Sequence, residues 1–390
     1  MAAPGAKSEN PVMAPSSWPH RIQRARRDRG WGVQRLAREL RKAAGPESAT
    51  TDSLMRSIRN WENGLYVPSE RNRLLLHRVL DIGVEDTAPT PPLPLDASRR
   101  SGEGAEEELR RTTADLIRLD GMHGGGAVVD LAVRAANRAR DTAASSDERG
   151  LRGRLSAVSE AEQVAGWAAY DADRQDLCAH LTSRALQTAA LAGDSSAELM
   201  ALSQMAMWAV QTGEASCARQ TSEHALAREL PPRVRVLFEV RLARALGLHG
   251  ERIRALAMIR QARARFDDGP SRHDPAWAWW LDEGELTWHH GMIHASMGEW
   301  GQAGELFAAA CAHRRPGRGR YNDAVHLSAA LVRTRQWAEA ERVVVQDVAQ
   351  TAPLITSLRI RHLLARITAV VPAEPRTDTL GQALRAALRS

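Results

Sequence analysis

Lysine is nearly missing from this chain: of 53 basic residues only Lys7 and Lys42 are lysines, and the rest are arginines. Tyr and Phe are scarce too, three each in 390 residues, although Trp occurs 11 times. A sheet protein draws on Val, Ile, Thr and the aromatics. This chain runs on Ala, Leu, Arg and Glu, the strong helix formers, which excludes a β-sandwich or barrel and predicts an all-α fold. Cysteine is limited to Cys178, Cys217 and Cys311, far apart and without a CxxC pair. That excludes a disulfide framework, reads as small core residues and fits a reducing cytoplasm. No apolar run is long enough for a membrane-spanning helix, and Met1–Trp18 lacks the apolar core of a secretory signal. GxSxG, HExxH and kinase motifs are also missing. With no grouping of nucleophile, base and orienting group, the expectation is no enzyme and no cofactor.

What the chain has is an uneven charge. Residues 1–85 carry 15 Lys and Arg against 9 Asp and Glu, whereas residues 86–390 carry 38 of each. The whole net charge of +6 therefore sits on the first fifth, as an anion-binding head on a neutral body would have it.

Periodicity divides the chain further. Residues 1–17, rich in Pro, Ala and Ser, read as disordered; 18–83 as a small helical domain; 84–104 as a Pro-rich linker; and 105–390 as nearly continuous helix. In the last segment short breaks recur at Ala172-Asp173, Gly213-Glu214, Gly250-Glu251, Gly298-Glu299-Trp300 and Arg335-Gln336-Trp337, spaced by about 40, 37, 48 and 37 residues. An Ala-rich helix follows each break, and Ala lets the two helices of a hairpin approach closely. One hairpin cannot bury its apolar face but a stack can, so the expectation is a helical-hairpin solenoid. GEWGQAGELFAAA, RQWAEAERVVV and GWAAYD resemble the helices of tetratricopeptide repeats.

The basic segment reads as four short helices: 19–29, 33–44, 53–63 and 70–80. Gly30 breaks the first, and Gly64 stands where a helix-ending glycine belongs. On the third helix Leu54, Ile58 and Trp61 fall on one face, and Met55, Arg56, Arg59, Asn60 and Asn63 on the other. Arg bonds guanine and Asn bonds adenine through two hydrogen bonds each, so such a face suits base edges in the major groove. Asp52 or Ser53 is the expected cap of this helix.

RIQRARRDRGW, RLAREL and SIRNWENGLYVPSE resemble the repressor-type helix-turn-helix family called XRE, over residues 18–83. The resemblance implies that Asn60, Arg59, Arg56 and Met55 face the major groove. It also implies a structural ion pair between Glu62 and Arg26. Where the family often places a phosphate-contacting Gln, this chain has Val33, with Gln34 or Arg35 as substitutes. The stretch joining the second and third helices is longer than in that family, with GPESATTD inserted where a tight turn belongs. The whole layout, including AGWAAYDADRQDLCAHLTSRALQTAALAGD, resembles regulators with tetratricopeptide-like repeats common in actinobacteria. The resemblance implies a cytoplasmic transcription regulator whose partners are double-stranded DNA and a second copy, bound as a homodimer on a near-palindrome. The repeat domain would take a peptide, small-molecule or protein ligand. An interaction scaffold or anti-regulator with a degenerate helix-turn-helix is the alternative.

Further clusters stand in the last segment. Trp277, Trp279, Trp280 and Trp288 read first as packing between hairpins and second as a ligand groove. His289, His290 and His294 lack a third ligand at fixed spacing and read as helix-surface residues, with no metal. Gly124-Gly125-Gly126 follows a helix rather than a strand, so it is no phosphate loop. Arg314, Arg315, Arg318 and Arg320 read as a solvated turn.

Overall fold

The structure is a computed structural model that describes residues 18–45, 49–65, 68, 70–80, 104–144 and 150–389. The described residues are helical and contain no β-strand. The expected disordered start, and the linker up to residue 103, lie outside them. The chain forms two compact units: Met1–Ala88 with Ala264–His273, and Pro89–Arg263 with Asp274–Ser390.

The first unit holds α1 (Trp18–Asp28), α2 (Val33–Ala44), α3 (Thr51–Glu62) and α4 (Glu70–Leu80). Ile22, Leu36, Leu40, Leu54, Ile58 and Trp61 come together with Leu75, Leu76 and Leu80 in one core. These positions recur every three or four residues, which puts each set on one side of its helix. Thr50, rather than Asp52 or Ser53, caps α3: its hydroxyl accepts the Ser53 N–H at 3.2 Å. The helix starts two residues earlier than expected, which moves both candidates inside it. Gly64 at φ +70° ends α3, with the Leu65 N–H reaching back to the Asn60 carbonyl at 2.9 Å.

The second unit runs through α5 (Gly104–His123), α6 (Gly125–Ala144), α7 (Leu151–Asp171), α8 (Gln175–Ala192), α9 (Ser195–Gln211), α10 (Ala215–Leu226), α11 (Pro232–Leu248) and α12 (Arg252–Phe266). A 3-10 turn (Ala276–Trp280) leads into α13 (Glu283–Ser296), α14 (Trp300–His313), α15 (Arg318–Arg333) and α16 (Trp337–Val343). A π-helical stretch (Val344–Val348) joins α16 to α17 (Ala349–Thr351), and α18 (Leu358–Val370) and α19 (Asp378–Arg389) follow.

All five breaks read from the sequence are built alike. Asp173, Gly213, Gly250, Gly298 and Arg335 are left-handed, with φ of +55°, +84°, +77°, +77° and +59°. The next residue's N–H then bonds the carbonyl five residues back, as in Glu214 to Ala209 at 2.7 Å and Gln336 to Leu331 at 2.9 Å. This pairing satisfies carbonyls that the helix end would orphan. Only at Asp173 and Arg335 does a side chain bear the cost of left-handed backbone. Asp173 has a use for its carboxylate, which accepts from Gln175 and His362. Arg335 is exposed and makes no comparable contact. Arg335→Gly is therefore expected to stabilise the second unit by about 0.5–1 kcal/mol, and Asp173→Gly to give no gain. The shift in urea midpoint of the two variants checks this.

The triple glycine brings the beginning of this unit against its end. A Cβ on Gly124 would lie 2.6 Å from the Thr356 carbonyl oxygen, and one on Gly126 would lie 2.8 Å from it. The Gly126 N–H bonds Thr356 O at 2.9 Å, and the Thr356 N–H bonds His123 O at 2.7 Å. Beside this seam the buried Asp171 takes the Gly125 N–H at 2.9 Å, the Ser357 hydroxyl at 2.8 Å and the guanidinium of Arg318 at 3.2 Å. Burial opposes ionisation of Asp171, but Arg318, Arg359 and the Gly125 N–H outweigh it and hold its pKa at about 2. The hairpins are thus closed upon themselves, and inward-facing side chains of α7, α11, α13, α15 and α18 share one interior.

Candidate nucleic-acid interface

The third helix is held by its buried face. Leu54, Ile58 and Trp61 enter the core, and Arg26 of α1 clamps the C-terminal end. Arg26 Nε donates to Glu62 Oε1 at 2.6 Å and its second terminal nitrogen to Oε2 at 2.7 Å; the third donor reaches the Trp31 carbonyl at 2.8 Å. The two side chains are 11% and 7% exposed. The hydrogen bond to Glu62 raises the Arg26 pKa further above its ordinary value, against the effect of burial. This pair therefore ties α1, the break before α2 and the end of α3 together, and neither member is free to meet a ligand.

Outward, α3 presents Arg56 and Arg59, both exposed, with Asn60 half-buried beside them. Positions 56, 59 and 60 are one turn apart and form one row. Asn63 is exposed at the C-cap. Met55 is half-buried and packs against the core edge, so it stands lower than the three polar residues. On α2, Gln34 and Arg35 are exposed, and the Arg35 guanidinium lies 5.1 Å from the centre of the Trp31 ring. Arg38, Arg41 and Lys42 are also exposed on α2. The inserted stretch between α2 and α3 is described except for residues 46–48.

Sequence reading missed a segment of this unit altogether. Residues 264–273 belong to it. Trp61 Nε1–H donates to the Asp268 carbonyl at 2.9 Å, the Ser57 hydroxyl donates to the Asp268 carboxylate, and Asn72 Nδ2–H donates to the Asp267 carbonyl at 2.6 Å. Burial raises the Asp268 pKa, opposed by Ser57 and by the nearby charges of Arg56 and Arg265. The only local signal was a pair of acids before Gly269-Pro270, which any surface turn shows.

The four tryptophans separate. Trp277 donates to Ser196 at 2.9 Å and packs beside Leu199 and Phe238. Trp279 is 58% exposed. Trp280 and the buried Trp288 lie beside Arg241 and Arg244 respectively, at 6.0 and 5.5 Å from guanidinium carbon to ring centre. Two other expectations are overturned. His289 and His294 are buried rather than on the surface, because α13 is covered by α11 and α14. Arg314 and Arg318 are not a solvated turn: Arg314 bridges Glu285 and Asp323 at 2.5 and 2.8 Å, and Arg318 binds Asp171. Buried carboxylates draw them inward.

Among the described residues no group of three or more His, Cys, Asp or Glu side chains is placed to hold a metal ion, and no helix is long and apolar enough to cross a membrane. Compared with known protein families and with curated proteins, the chain matches none.

Proposed function

We propose that this chain is a sequence-specific DNA-binding regulator. Its first unit acts as a helix-turn-helix head that lays α3 in the major groove, and its second unit as a tetratricopeptide-like sensing or protein-binding stack. One observation carries the reading: a row of Arg56, Arg59 and Asn60 stands on a helix fixed from behind by its core and by the Arg26–Glu62 clamp. Base readout needs side chains with donors held on a rigid element. Exposed arginines on α2 supply the phosphate contacts that set register. One head reads a short half-site, so a homodimer on a near-palindrome follows.

The alternative, an interaction scaffold whose head no longer reads DNA, is favoured by one observation: Asp268 lies within electrostatic reach of Arg56 and opposes binding of a polyanion there. Selection of duplexes from a random pool, followed by fluorescence anisotropy on the purified chain, separates the two. On a selected site Arg56→Ala and Asn60→Ala are each expected to cost about 1–3 kcal/mol and to relax preference at one base pair. Affinity is expected to fall steeply with salt. Unchanged binding by the Arg56→Ala/Asn60→Ala double variant, or binding indifferent to salt, would overturn the proposal.

A further inference from the structure

Arginine 241 and arginine 244 of α11 are one turn apart and point into the interior of the second unit. Most arginines there are matched. Glu285 is taken by Arg314 at 2.5 Å and by His289 at 3.3 Å, and Asp171 by Arg318 and Arg359. Arg241 and Arg244 have no carboxylate within 4 Å among the described residues. Their hydrogen-bond partners are neutral: Arg241 reaches the Ser203 hydroxyl and His289 Nε2, both at 3.3 Å, and Arg244 reaches His289 Nδ1 at 3.1 Å, while Glu285, already held by Arg314, acts on both only at a distance. A neutral imidazole accepts through only one nitrogen. With Nε2–H directed to Glu285, His289 serves Arg244 and leaves Arg241 short.

Both guanidiniums bear a cost that a salt bridge would offset. Arg241 is 4% exposed, and burial lowers its pKa. Burial also pulls the Arg244 pKa down to about 10, yet its side chain is not closed off from solvent. Arg244 therefore sits in a recess that still touches solvent. Trp280 and Trp288 rings flank the pair. Trp288, 8% exposed, has an indole N–H that is buried and has no hydrogen-bond partner among the described residues. Tyr170, Arg241, Arg359 and Glu285 all act on Arg244, and Arg359 and Arg244 on His326, so Arg241 and Arg244 share the distant Glu285. The site thus combines surplus positive charge, flat walls and an idle donor.

We propose that Arg241 and Arg244 seat the oxyanion group of a ligand held inside the second unit, with Trp280 and Trp288 against the body of that ligand and the Trp288 N–H as a further donor. The inference rests on the sensing role given to this unit above, but its test reads anion binding alone, so it stands or falls separately from DNA recognition. An organic carboxylate and a phosphate share the required chemistry and are told apart by probes.

The full chain is titrated with sodium benzoate and with inorganic phosphate, each against sodium chloride of equal ionic strength, and its unfolding temperature and tryptophan emission are followed. At least one probe is expected to raise the unfolding temperature saturably, by the mass action of a ligand that binds only the folded state. A larger response to benzoate assigns an organic acid, a larger one to phosphate a phosphate group. Arg244→Met is expected to weaken the response tenfold or more while unfolding, in chloride, no earlier than the parent, because it removes a half-buried charge that no carboxylate contacts. Trp288→Phe keeps the wall, loses the donor and is expected to weaken binding less. No response to either probe, an undiminished response in Arg244→Met, or a marked loss of stability of that variant in chloride would each overturn the proposal.

Discussion

Cut from the rest of the chain, residues 1–88 are expected not to melt cooperatively. The four helices look sufficient in sequence, with a full set of apolar positions around Trp61. The structure adds residues 264–273 to the same unit, and that segment receives three hydrogen bonds from the head. Trp61, Ser57 and Asn72, which donate them, are 0%, 2% and 4% exposed. A buried donor left unpaired costs about 1–3 kcal/mol. The Ser57 hydroxyl falls back on the Ser53 carbonyl at 3.1 Å, and water reaching the other two groups returns part of their cost, which leaves a net loss of about 2–3 kcal/mol. A core of this size rarely supplies more than about 3–5 kcal/mol. The loss is therefore comparable to the whole stability of the fragment. Circular dichroism on the fragment should show a broad, shallow transition, and joining residues 264–273 to its end through a flexible linker should restore a sharp one. A sharp transition in the bare fragment would show the added segment to be dispensable. The consequence for function is direct: a head that needs residues 264–273 cannot be assayed for DNA binding as an isolated fragment.

That segment also marks where sequence reading stops. The helices of the first unit were legible because Leu36, Leu40, Leu54, Ile58 and Trp61 repeat at helical spacing, and periodicity is a local property. The hairpin breaks were legible for the same reason: a left-handed residue ends a helix wherever it stands, and three of five are glycine. Ser57 carried no such mark. A serine on the buried side of α3 fits any small gap, and its partner lies 211 residues away. The arginines of the second unit failed in the same way. Arg314 and Arg318 sit in a Pro/Gly stretch that reads as surface, and their environment is set by Glu285 and Asp171, 29 and 147 residues earlier in the chain. Arg241 and Arg244 gave no signal, because an arginine on an amphipathic helix is ordinarily solvated, and it is Ser203 of α9 and His289 of α13, 38 to 48 residues away on either side, that they meet. Local pattern gave the elements, and long-range pairing decided which polar groups are buried. The outward row on α3 was legible because local spacing sets which side chains face away from the core, but the charge beside it was not: Asp268 acts on Arg56 from a distant part of the chain, and Met55 is drawn toward the core.

Arg26→Met is expected to lower the local stability of the first unit by about 3 kcal/mol, and Glu62→Leu by a similar amount, while the two together cost much less than their sum. Each single change strands a charge in a nearly closed site, and breaking a buried pair from one side costs about 3–5 kcal/mol. Exposures of 11% and 7% place this pair near the lower end. Replacing both by apolar groups leaves no charge stranded, so the double variant regains most of the loss. It does not regain all, because Arg26 also holds the Trp31 carbonyl at 2.8 Å and with it the break between α1 and α2. With 11 tryptophans in the chain, fluorescence would blend both units. Amide hydrogen exchange followed by mass spectrometry instead reads opening of α1 and α3 peptides alone. Exchange of α3 amides should quicken by about a hundredfold in each single variant and by far less in the double. Additive losses would mean that Arg26 and Glu62 act independently. If α3 is also the reading helix, the single variants should weaken DNA binding without changing base preference, since they loosen the support of Arg56 and Asn60 rather than their contacts. The Arg56→Ala and Asn60→Ala variants should do the reverse, shifting base preference while α3 exchange stays slow. Holding the helix and reading with it would then be separable properties of opposite faces of one twelve-residue element.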